Sequence, residues 1–286
     1  MLVNIRTILA DAHKNGYGVA GINFNSYEDC KGIVEAAVLK RSPVILMATS
    51  TTVRYIGVHT VVGMASGMAK SVDVPVCLHL DHATDMKLIF QCIEAGFSSV
   101  MIDASREDYL KNIELTRSVV QKAKDFNCSV EGELGKIGGV EDDFISDESE
   151  LTKPNAVPRF VEETGLDALA VAIGTVHGFY VNDPKIDFER LRAIRALTDV
   201  PLVLHGGTGL AASEFQKCIT IGMSKINVGT EIKQVFSQAL RNAVAKLGDE
   251  MDPRRYLEIA TSDCRDAVMC KMDVFGCTGK ADLVRE

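Results

Sequence analysis

The sequence predicts an α/β fold, a (β/α)8 TIM barrel with extra C-terminal helices. Eight short apolar runs rich in β-branched residues alternate with helical patterns along most of the chain. The chain has 286 residues, a length that suits one such barrel. Hydrophobic residues make up 47% and charged residues 24%, which provides a large core and excludes a disordered chain. We therefore interpret residues 1–286 as a single barrel domain.

Helical segments such as "YEDCKGIVEAAVLKR" and "FERLRAIRALTD" separate the predicted strands. Strands that alternate with helices in this way form parallel sheets. The runner-up, an open doubly wound sheet, would favour a glycine-rich turn after the first strand, and "INFNSYED" has no glycine there. The predicted strands cover residues 17–24, 43–49, 74–81, 97–103, 128–134, 166–173, 200–206 and 223–228.

The N-terminal stretch "MLVNIRTILADAHKNG" reads as an amphipathic helix with Ile5, Ile8, Leu9 and Ala12 on one side, not as a signal peptide. No apolar run is long enough to cross a membrane. The net charge of −8, without a long run of lysine or arginine, argues against a nucleic-acid partner. Eight scattered cysteines are typical of buried free thiols in a reducing compartment. We expect a cytoplasmic protein.

Two segments depart from the repeating pattern. Residues 136–158 are long and acidic, and loops of this length are usually functional or mobile. We interpret them as a mobile active-site loop hinged at Gly138 and Gly139, with a plain solvated insertion as the alternative. Residues 231–286 hold two helical patterns, more than one closing helix requires. They predict a C-terminal helical arm that packs on another subunit.

Histidines stand at or just beyond the carboxyl ends of three predicted strands, where barrels place their catalytic groups. These are His82, His177 and His205. Three neutral imidazoles from three strands suit Zn²⁺ with an open coordination position. The alternative is a set of core histidines with ordinary hydrogen-bond partners. Three histidines at matched strand ends favour the metal site.

The stretch "VCLHLDH" places two histidines on one strand. His79 and His82 are three residues apart, so in a regular strand they point to opposite faces. We assign His82 to the metal, because it stands where the strand ends, and expect His79 to be structural or to support a ligand. Asp81 is expected either to support a ligand or to act as a general acid/base beside the metal.

Other polar residues occupy the same strands. Lys225 shares a strand face with Asn227, and we expect it to pair with a strand carboxylate such as Glu131. A Schiff-base role for Lys225 is the alternative, but it would leave the three histidines unexplained. The turns "HGGTG" (205–209) and "NVGT" (227–230) follow the last two strands, a frequent phosphate site in this fold, and Gly178 could add a backbone donor.

Together these residues resemble the class II, zinc-dependent ketose-bisphosphate aldolases, over nearly the whole chain. The family comprises fructose-1,6-bisphosphate and tagatose-1,6-bisphosphate aldolases. The matching motifs, in chain order, are "LHLDH", "SVMID", "VEGELGKIGGVED", "LAVAIGTVHG", "PLVLHGGTG", "KINVGTE" and "DPRRYL".

The resemblance implies metal-binding roles for five residues. His82, His177 and His205 look like the zinc ligands, one catalytic Zn²⁺ per subunit. Asp103 and Glu133 look like groups near the metal or at a second metal position.

Further roles follow from the same resemblance. Asp81 looks like the residue that moves the proton of the C4 hydroxyl, and Asn227 looks like the group that orients the enediolate. Glu141 and Asp142 look like the acids of the mobile loop. Arg254 looks like the arginine that reaches a neighbouring subunit and holds the far phosphate. The 1-phosphate cradle, where relatives often bind Na⁺ or K⁺, would comprise Gly178, Gly206, Gly207, Thr208, Asn227, Gly229 and Thr230.

The implied activity is reversible cleavage of a ketose 1,6-bisphosphate to dihydroxyacetone phosphate and glyceraldehyde 3-phosphate, a lyase reaction of carbohydrate metabolism and glycolysis. Zn²⁺ would stabilise the enediolate as a Lewis acid. The implied assembly is a homodimer or homotetramer, and the need for a non-catalytic helper subunit is left open.

The chain departs from many relatives at the rim, at Ala83-Thr84, at Ala104-Ser105-Arg106 and at Gly229. These departures leave the identity of the sugar open between fructose, tagatose and a related deoxy-keto-sugar phosphate.

The sequence argues against two other functions. A metal-dependent hydrolase commonly has H-x-H at the end of strand one, where this chain reads "INFNS". A non-catalytic partner subunit should have lost ligands or the acid/base residue, and all are present.

Overall fold

Eight parallel strands close into a barrel in the computed structural model, which describes residues 2–141, 144–146, 149–180, 184–282 and 284. The predicted fold class is confirmed, and each of the eight predicted strands supplies one barrel strand. The strands are, in chain order, β1 (Val19–Asn23), β2 (Val44–Thr49), β3 (Val76–Ala83), β4 (Ser99–Ile102), β5 (Ser129–Leu134), β6 (Gly138–Glu141), β7 (Phe144–Ser146), β8 (Ala168–Val171), β9 (Val176–His177), β10 (Leu202–Leu204) and β11 (Met223–Val228).

The helices surround this barrel, and a single 3₁₀ turn, Pro154–Ala156, precedes the seventh of them. They are α1 (Ile5–Asn15), α2 (Tyr27–Leu39), α3 (Ser50–Ile56), α4 (Val58–Lys70), α5 (Met86–Ala95), α6 (Tyr109–Lys124), α7 (Val157–Thr164), α8 (Phe188–Arg195), α9 (Ala212–Ile221), α10 (Thr230–Leu247) and α11 (Pro253–Phe275).

The barrel strands follow the order β1-β11-β10-β8-β5-β4-β3-β2, and β2 pairs with β1 to close the ring. Every pairing in the ring is parallel, so all carboxyl ends meet at one mouth. The strands are near-continuous apolar runs because both of their faces are covered, and every residue of β2 is buried. Polar side chains interrupt this pattern toward the mouth and also deeper in the barrel, where His79, Glu131 and Lys225 are fully buried.

The N-terminal helix α1 forms as predicted, with Ile5, Ile8, Leu9 and Ala12 all buried. Asn4 caps its first turn by accepting a hydrogen bond from the Thr7 backbone N–H at 3.0 Å. The helix packs against β1, β5 and β11.

The predicted arm over 231–286 divides into two parts. Helix α11 packs along α2, where the backbone oxygen of Thr261 lies 2.8 Å from the position that a Cβ on Gly32 would occupy. It therefore acts as the closing helix of the barrel. Helix α10 packs on α11 through Ala239 and Ala243, and the turn between the two helices exposes Met251. Within the described part of this segment, α10 and the turn are additional to the barrel.

A small second sheet, in the order β7-β6-β9, lies at the mouth of the barrel. The glycines expected to form a hinge, Gly138 and Gly139, lie in β6 and pair with Val176 and His177 of β9. A Cβ on Gly139 would lie 2.2 Å from the His177 backbone oxygen, and its φ is 110°. Glycine is therefore required here because β6 approaches the backbone of His177 closely. The prediction of a hinge gave flexibility as the reason for these glycines, not close approach.

The cysteines match the expectation from the sequence. All eight are free thiols and seven are buried, Cys270 being the exposed one. In the described part of the chain, no helix combines the length and the apolar character needed to cross a lipid bilayer.

Candidate metal centre and active site

The three histidines predicted as metal ligands come together at the barrel mouth. The ring centroid of His82 lies 4.7 Å from that of His177 and 4.3 Å from that of His205. The third pair, His177 and His205, is 5.9 Å apart. One nitrogen from each ring lies within 4.8 Å of the other two. The prediction that these histidines share one site agrees with this geometry.

An irregularity in β3 brings His82 to this cluster. The pairing of β3 with β4 shifts register between Leu80 and Ala83, and His82 has a φ of 45°. This left-handed conformation is uncommon for a residue with a side chain. Side chains alternate only along a regular strand, so the prediction that His79 and His82 point to opposite faces is wrong: both point into the barrel. His79 lies deeper, where its Nδ1 is 2.8 Å from the Ser99 Oγ.

Two of the histidines have one ring nitrogen committed to a carboxylate. His82 Nδ1 lies 3.3 Å from Asp103 Oδ2, and His205 Nε2 lies 2.8 Å from Glu131 Oε1. A neutral imidazole has one N–H, so the other nitrogen of each ring presents a lone pair. These nitrogens, His82 Nε2 and His205 Nδ1, converge to 2.5 Å. Converging lone pairs from neutral imidazoles fit a bound divalent cation.

The protonation of the cluster also suits metal binding. Burial lowers the pKa of His177 to about 3, with the charge of His82 adding to the effect. Burial, the charge of His82 and the charge of Lys225 together hold the pKa of His205 well below its usual range. Both rings are therefore neutral near pH 7, the form that binds metals.

Two carboxylates flank His82 on its other side. His82, Asp103 and Glu133 each offer one ligand atom within 4.8 Å of the others. Asp103 also accepts hydrogen bonds from the backbone N–H and the hydroxyl of Ser105, at 3.1 and 2.7 Å. Burial alone would raise the pKa of Asp103, but the bonds from His82 and Ser105 outweigh it and lower the pKa. The carboxylate is therefore ionised near His82.

Asp81 is a buried carboxylate beside the histidines. The Asn23 side-chain amide donates to its Oδ2 at 2.9 Å, and the Asn227 amide lies 3.4 Å from its Oδ1. The same amide nitrogen of Asn227 lies 3.2 Å from His205 Nδ1. Burial alone would raise the pKa of Asp81, but the neighbouring imidazole of His82 and the ammonium group of Lys225 outweigh burial and lower it. Asp81 is therefore an ionised carboxylate held next to the three histidines.

Asn23 is a site residue that the sequence reasoning missed. It is buried at the end of β1, and its Oδ1 lies 2.5 Å from the position that a Cβ on Gly229 would occupy. The signal was an asparagine at the carboxyl end of the apolar run "VAGIN", where a buried polar residue needs a partner.

A small cavity opens beside the histidine cluster, and the predicted phosphate residues line it. Asn23 and Lys233, which the sequence reasoning did not select, line it as well. Among the described lining residues there is no carboxylate, so the cavity suits an anion. The predicted residues found there are Gly178, Gly206, Gly207, Thr208, Asn227, Gly229 and Thr230, together with His177 and His205.

Close backbone packing explains the central glycine of this cavity. Gly206 has a φ of 68°, and a Cβ there would lie 2.5 Å from the Val176 backbone oxygen. The Tyr180 hydroxyl donates to the Gly206 backbone oxygen at 2.8 Å and accepts from the Val176 N–H at 3.2 Å. Tyr180 thus ties the two glycine-containing turns together, a role that the sequence reasoning also missed.

Lys225 forms the pair expected from the sequence. Its Nζ lies 2.7 Å from Glu131 Oε2, and both side chains are fully buried. The same Nζ lies 3.3 Å from His79 Nε2. Lys225 does not line the cavity, which gives no support to the Schiff-base alternative.

The remaining predicted residues are Arg254 and the two acids of the loop. Arg254 lies at the start of α11 with 87% of its side chain exposed, and it pairs with Asp252 at 2.8 Å. Glu141 is the last residue of β6. Asp142 lies outside the described residues.

Comparison with known families matches the class II fructose-bisphosphate aldolase model to residues 3–280. This chain belongs to that family. As a class II aldolase it is a lyase, and the resemblance noted in the sequence is confirmed.

Solved structures agree with this assignment. The YdjI aldolase from Escherichia coli K12 is 33% identical, with a TM-score of 0.86 over 98% of this chain and 100% of that one. A putative fructose-1,6-bisphosphate aldolase from Coccidioides immitis is 31% identical, with a TM-score of 0.91 over 98% of each chain. Fructose-bisphosphate aldolase from Campylobacter jejuni is 23% identical and supports the fold, with a TM-score of 0.83 over 98% of this chain and 97% of that one.

Proposed function

We propose that this aldolase uses a bound zinc ion to cleave a ketose 1,6-bisphosphate reversibly between C3 and C4. The products are dihydroxyacetone phosphate and glyceraldehyde 3-phosphate. One observation carries the proposal: the buried carboxylate of Asp81 lies one amide away from the three-histidine cluster, beside a cavity suited to an anion. The Coccidioides immitis relative, described as a putative fructose-1,6-bisphosphate aldolase, supports the choice of substrate class.

His82, His177 and His205 would hold the zinc ion, since their ring nitrogens converge and the rings are suited to metal binding. When bound, Zn²⁺ would polarise the substrate carbonyl as a Lewis acid. Asp103 and Glu133 would adjust the position and charge of His82, or take part in a second metal position.

Asp81 is the base of the proposed reaction. Its ionised carboxylate would take the proton from the C4 hydroxyl, the C4–O bond would become a carbonyl, and the C3–C4 electron pair would remain on C3. In the condensation direction Asp81 would return the same proton. Asn23 and Asn227 hold the carboxylate by donating to opposite oxygens. Asn227 would also orient the enediolate fragment.

The cavity would bind the 1-phosphate. Backbone N–H groups from the turns around Gly178 and Gly206 and the hydroxyls of Thr208 and Thr230 supply donors to an anion. A Na⁺ or K⁺ ion would share this region. Binding a remote phosphate positions the bond to be broken, which lowers the entropic cost of the reaction.

A second copy of the chain would complete the site. Arg254 is exposed at the turn between α10 and α11 and does not line the cavity of its own subunit. We propose a homodimer or homotetramer in which Arg254 of one subunit holds the far phosphate in its neighbour, while Glu141 and Asp142 approach from the loop. Light scattering would give the subunit number, and cleavage by the purified chain alone would show that it does not require a helper subunit. The protein would act in cytoplasmic carbohydrate metabolism, including glycolysis.

The test is a cleavage assay with fructose- and tagatose-1,6-bisphosphate side by side. Released dihydroxyacetone phosphate would be followed with chelator, without it, and after zinc is restored. We expect the chelator to abolish cleavage and added zinc to restore it. Borohydride should trap no imine between the enzyme and the substrate. The ratio of the two rates identifies the sugar. Chelator-insensitive cleavage would contradict the metal mechanism. Cleavage of neither sugar would contradict the proposed substrate, with a deoxy-keto-sugar phosphate tested next.

A further inference from the structure

A row of buried polar side chains lies inside the barrel, one layer deeper than the proposed active site. The row consists of four fully buried residues, Ser99, His79, Lys225 and Glu131. Its last member, Glu131, contacts His205. The successive contacts are Ser99 Oγ to His79 Nδ1 at 2.8 Å, His79 Nε2 to Lys225 Nζ at 3.3 Å, Lys225 Nζ to Glu131 Oε2 at 2.7 Å, and Glu131 Oε1 to His205 Nε2 at 2.8 Å. None of the first four touches the substrate in the proposed reaction.

Lys225 determines the direction of every hydrogen bond in this row, because an ammonium group has donors and no acceptor. His79 Nε2 must therefore accept, and its Nδ1–H donates to Ser99. Burial and then the charge of Lys225 hold the pKa of His79 well below its usual range, consistent with a ring that has a single N–H. On the other side Lys225 occupies Glu131 Oε2, which leaves Oε1 for His205.

The consequence reaches the metal site. His205 donates its Nε2–H to Glu131, so its Nδ1 carries the lone pair that faces His82. A buried ion pair is seldom retained for stability, because the desolvation of two charges offsets their attraction. The pair must therefore be explained by what it does to its neighbours.

We infer that Lys225 and Glu131 are positioning residues that fix His205 in the Nε2–H tautomer and thereby set the metal affinity of the site. The inference rests on the proposed function, because it takes the three histidines as the metal ligands. Carboxylates that accept from a ligating histidine commonly have this effect. Here the lysine selects which carboxylate oxygen the histidine meets.

The first variant is Glu131→Gln. With Lys225 in place, the glutamine oxygen must face the ammonium, so its NH₂ group faces His205 Nε2. This favours the Nδ1–H tautomer, whose Nδ1 cannot bind a metal. We expect zinc affinity to fall about 10–100-fold. Competition with a chromophoric chelator, without substrate, measures the affinity.

The matched control is the double variant Glu131→Gln/Lys225→Met. Without the ammonium, the glutamine oxygen can turn to His205 and restore the Nε2–H tautomer. We expect the double variant to recover most of the lost affinity, although it has lost more polar contacts. A merely structural role would leave it no better than Glu131→Gln, and that outcome would overturn the inference. Thermal unfolding would establish that both variants are folded.

A measurement on the unmodified protein covers the case in which the variants do not fold. Nitrogen-15 NMR of labelled histidines, with a His205→Gln variant for assignment, reports which His205 nitrogen carries the proton. Protonated Nε2 is expected, and protonated Nδ1 would overturn the inference. If Glu131→Gln bound zinc normally, the inference would fail while cleavage stood. Absence of cleavage by the zinc-loaded unmodified protein would instead refute the proposed function.

Discussion

The two sides of the barrel mouth carry opposite chemistry. On the side of β3, β4 and β5, the carboxylates of Asp81, Asp103 and Glu133 surround His82. On the side of β9, β10 and β11, the described lining of the cavity contains no carboxylate and includes Gly178, Gly206, Gly207 and Gly229. The three histidines stand between them. The proposed proton transfer and the proposed phosphate binding thus involve different strands, so substitutions on the two sides should change different kinetic constants.

The largest effect is expected between the two sides. His177→Ala should lose bound zinc and cleavage together, because one of three ligands disappears. We expect kcat/KM to fall about 10⁴-fold, since the metal supplies several kcal/mol of stabilisation. Metal analysis and the cleavage assay measure both. The exposed His59→Ala is the matched control. Full zinc occupancy in His177→Ala would require a different ligand set.

On the carboxylate side, Asp81→Asn should keep zinc and lose turnover. Removal of the base should lower kcat about 10²–10⁴-fold, while KM changes little. Steady-state kinetics with parallel metal analysis separates this result from metal loss, and the exposed Asp125→Asn serves as control. Normal turnover by Asp81→Asn would show that another group moves the proton.

On the anion side, Thr208→Val removes one hydroxyl without a large change in shape. A hydrogen bond to a charged group contributes about 1.5–3 kcal/mol, so kcat/KM should fall about 10–100-fold. Zinc content should be unchanged, and competitive inhibition by inorganic phosphate should weaken in parallel. Thr220→Val, in the exposed last turn of α9, is the control. If Thr208→Val lowered the zinc content and left phosphate inhibition unchanged, the separation of metal binding from phosphate binding would be contradicted.

The smallest effect concerns stability. The pKa of His177 is about 3 in the folded chain and 6.5 for an unperturbed histidine. Between these values the unfolded chain binds the extra proton, so stability falls as pH falls. From pH 7.5 to pH 5 this costs the metal-free protein about 2 kcal/mol. Denaturant unfolding measures it. In His177→Gln that share of the loss should vanish, and an unchanged pH dependence would contradict the burial argument.

The sequence was sufficient for the barrel because parallel strands buried on both faces are apolar runs that can be read directly. The Lys225–Glu131 pair was also predictable, because inward charges in adjacent layers need each other. Both predictions depend only on the residue pattern within each strand and on the strand arrangement of the barrel. The three histidines were grouped on the same basis, from their positions at strand ends.

Other features depend on contacts between distant segments. The left-handed conformation of His82 arises where β3 changes register against β4, and no pattern within "VCLHLDH" specifies it. Gly139 lies too close to the backbone of His177 for a side chain to fit, whereas the sequence around it suggests a hinge. Tyr180 ties two turns through its hydroxyl alone, which a sequence of ordinary loop residues does not reveal.

In the proposed site, one metal ion divides a carboxylate side from a phosphate side. Anomalous diffraction at the zinc edge, from a crystal soaked with dihydroxyacetone phosphate, tests this arrangement. We expect one peak about 2.0–2.1 Å from nitrogens of His82, His177 and His205, with the phosphate beside Gly206 and Thr208. A zinc peak at cysteines, or a phosphate lying against Asp103 and Glu133, would contradict it.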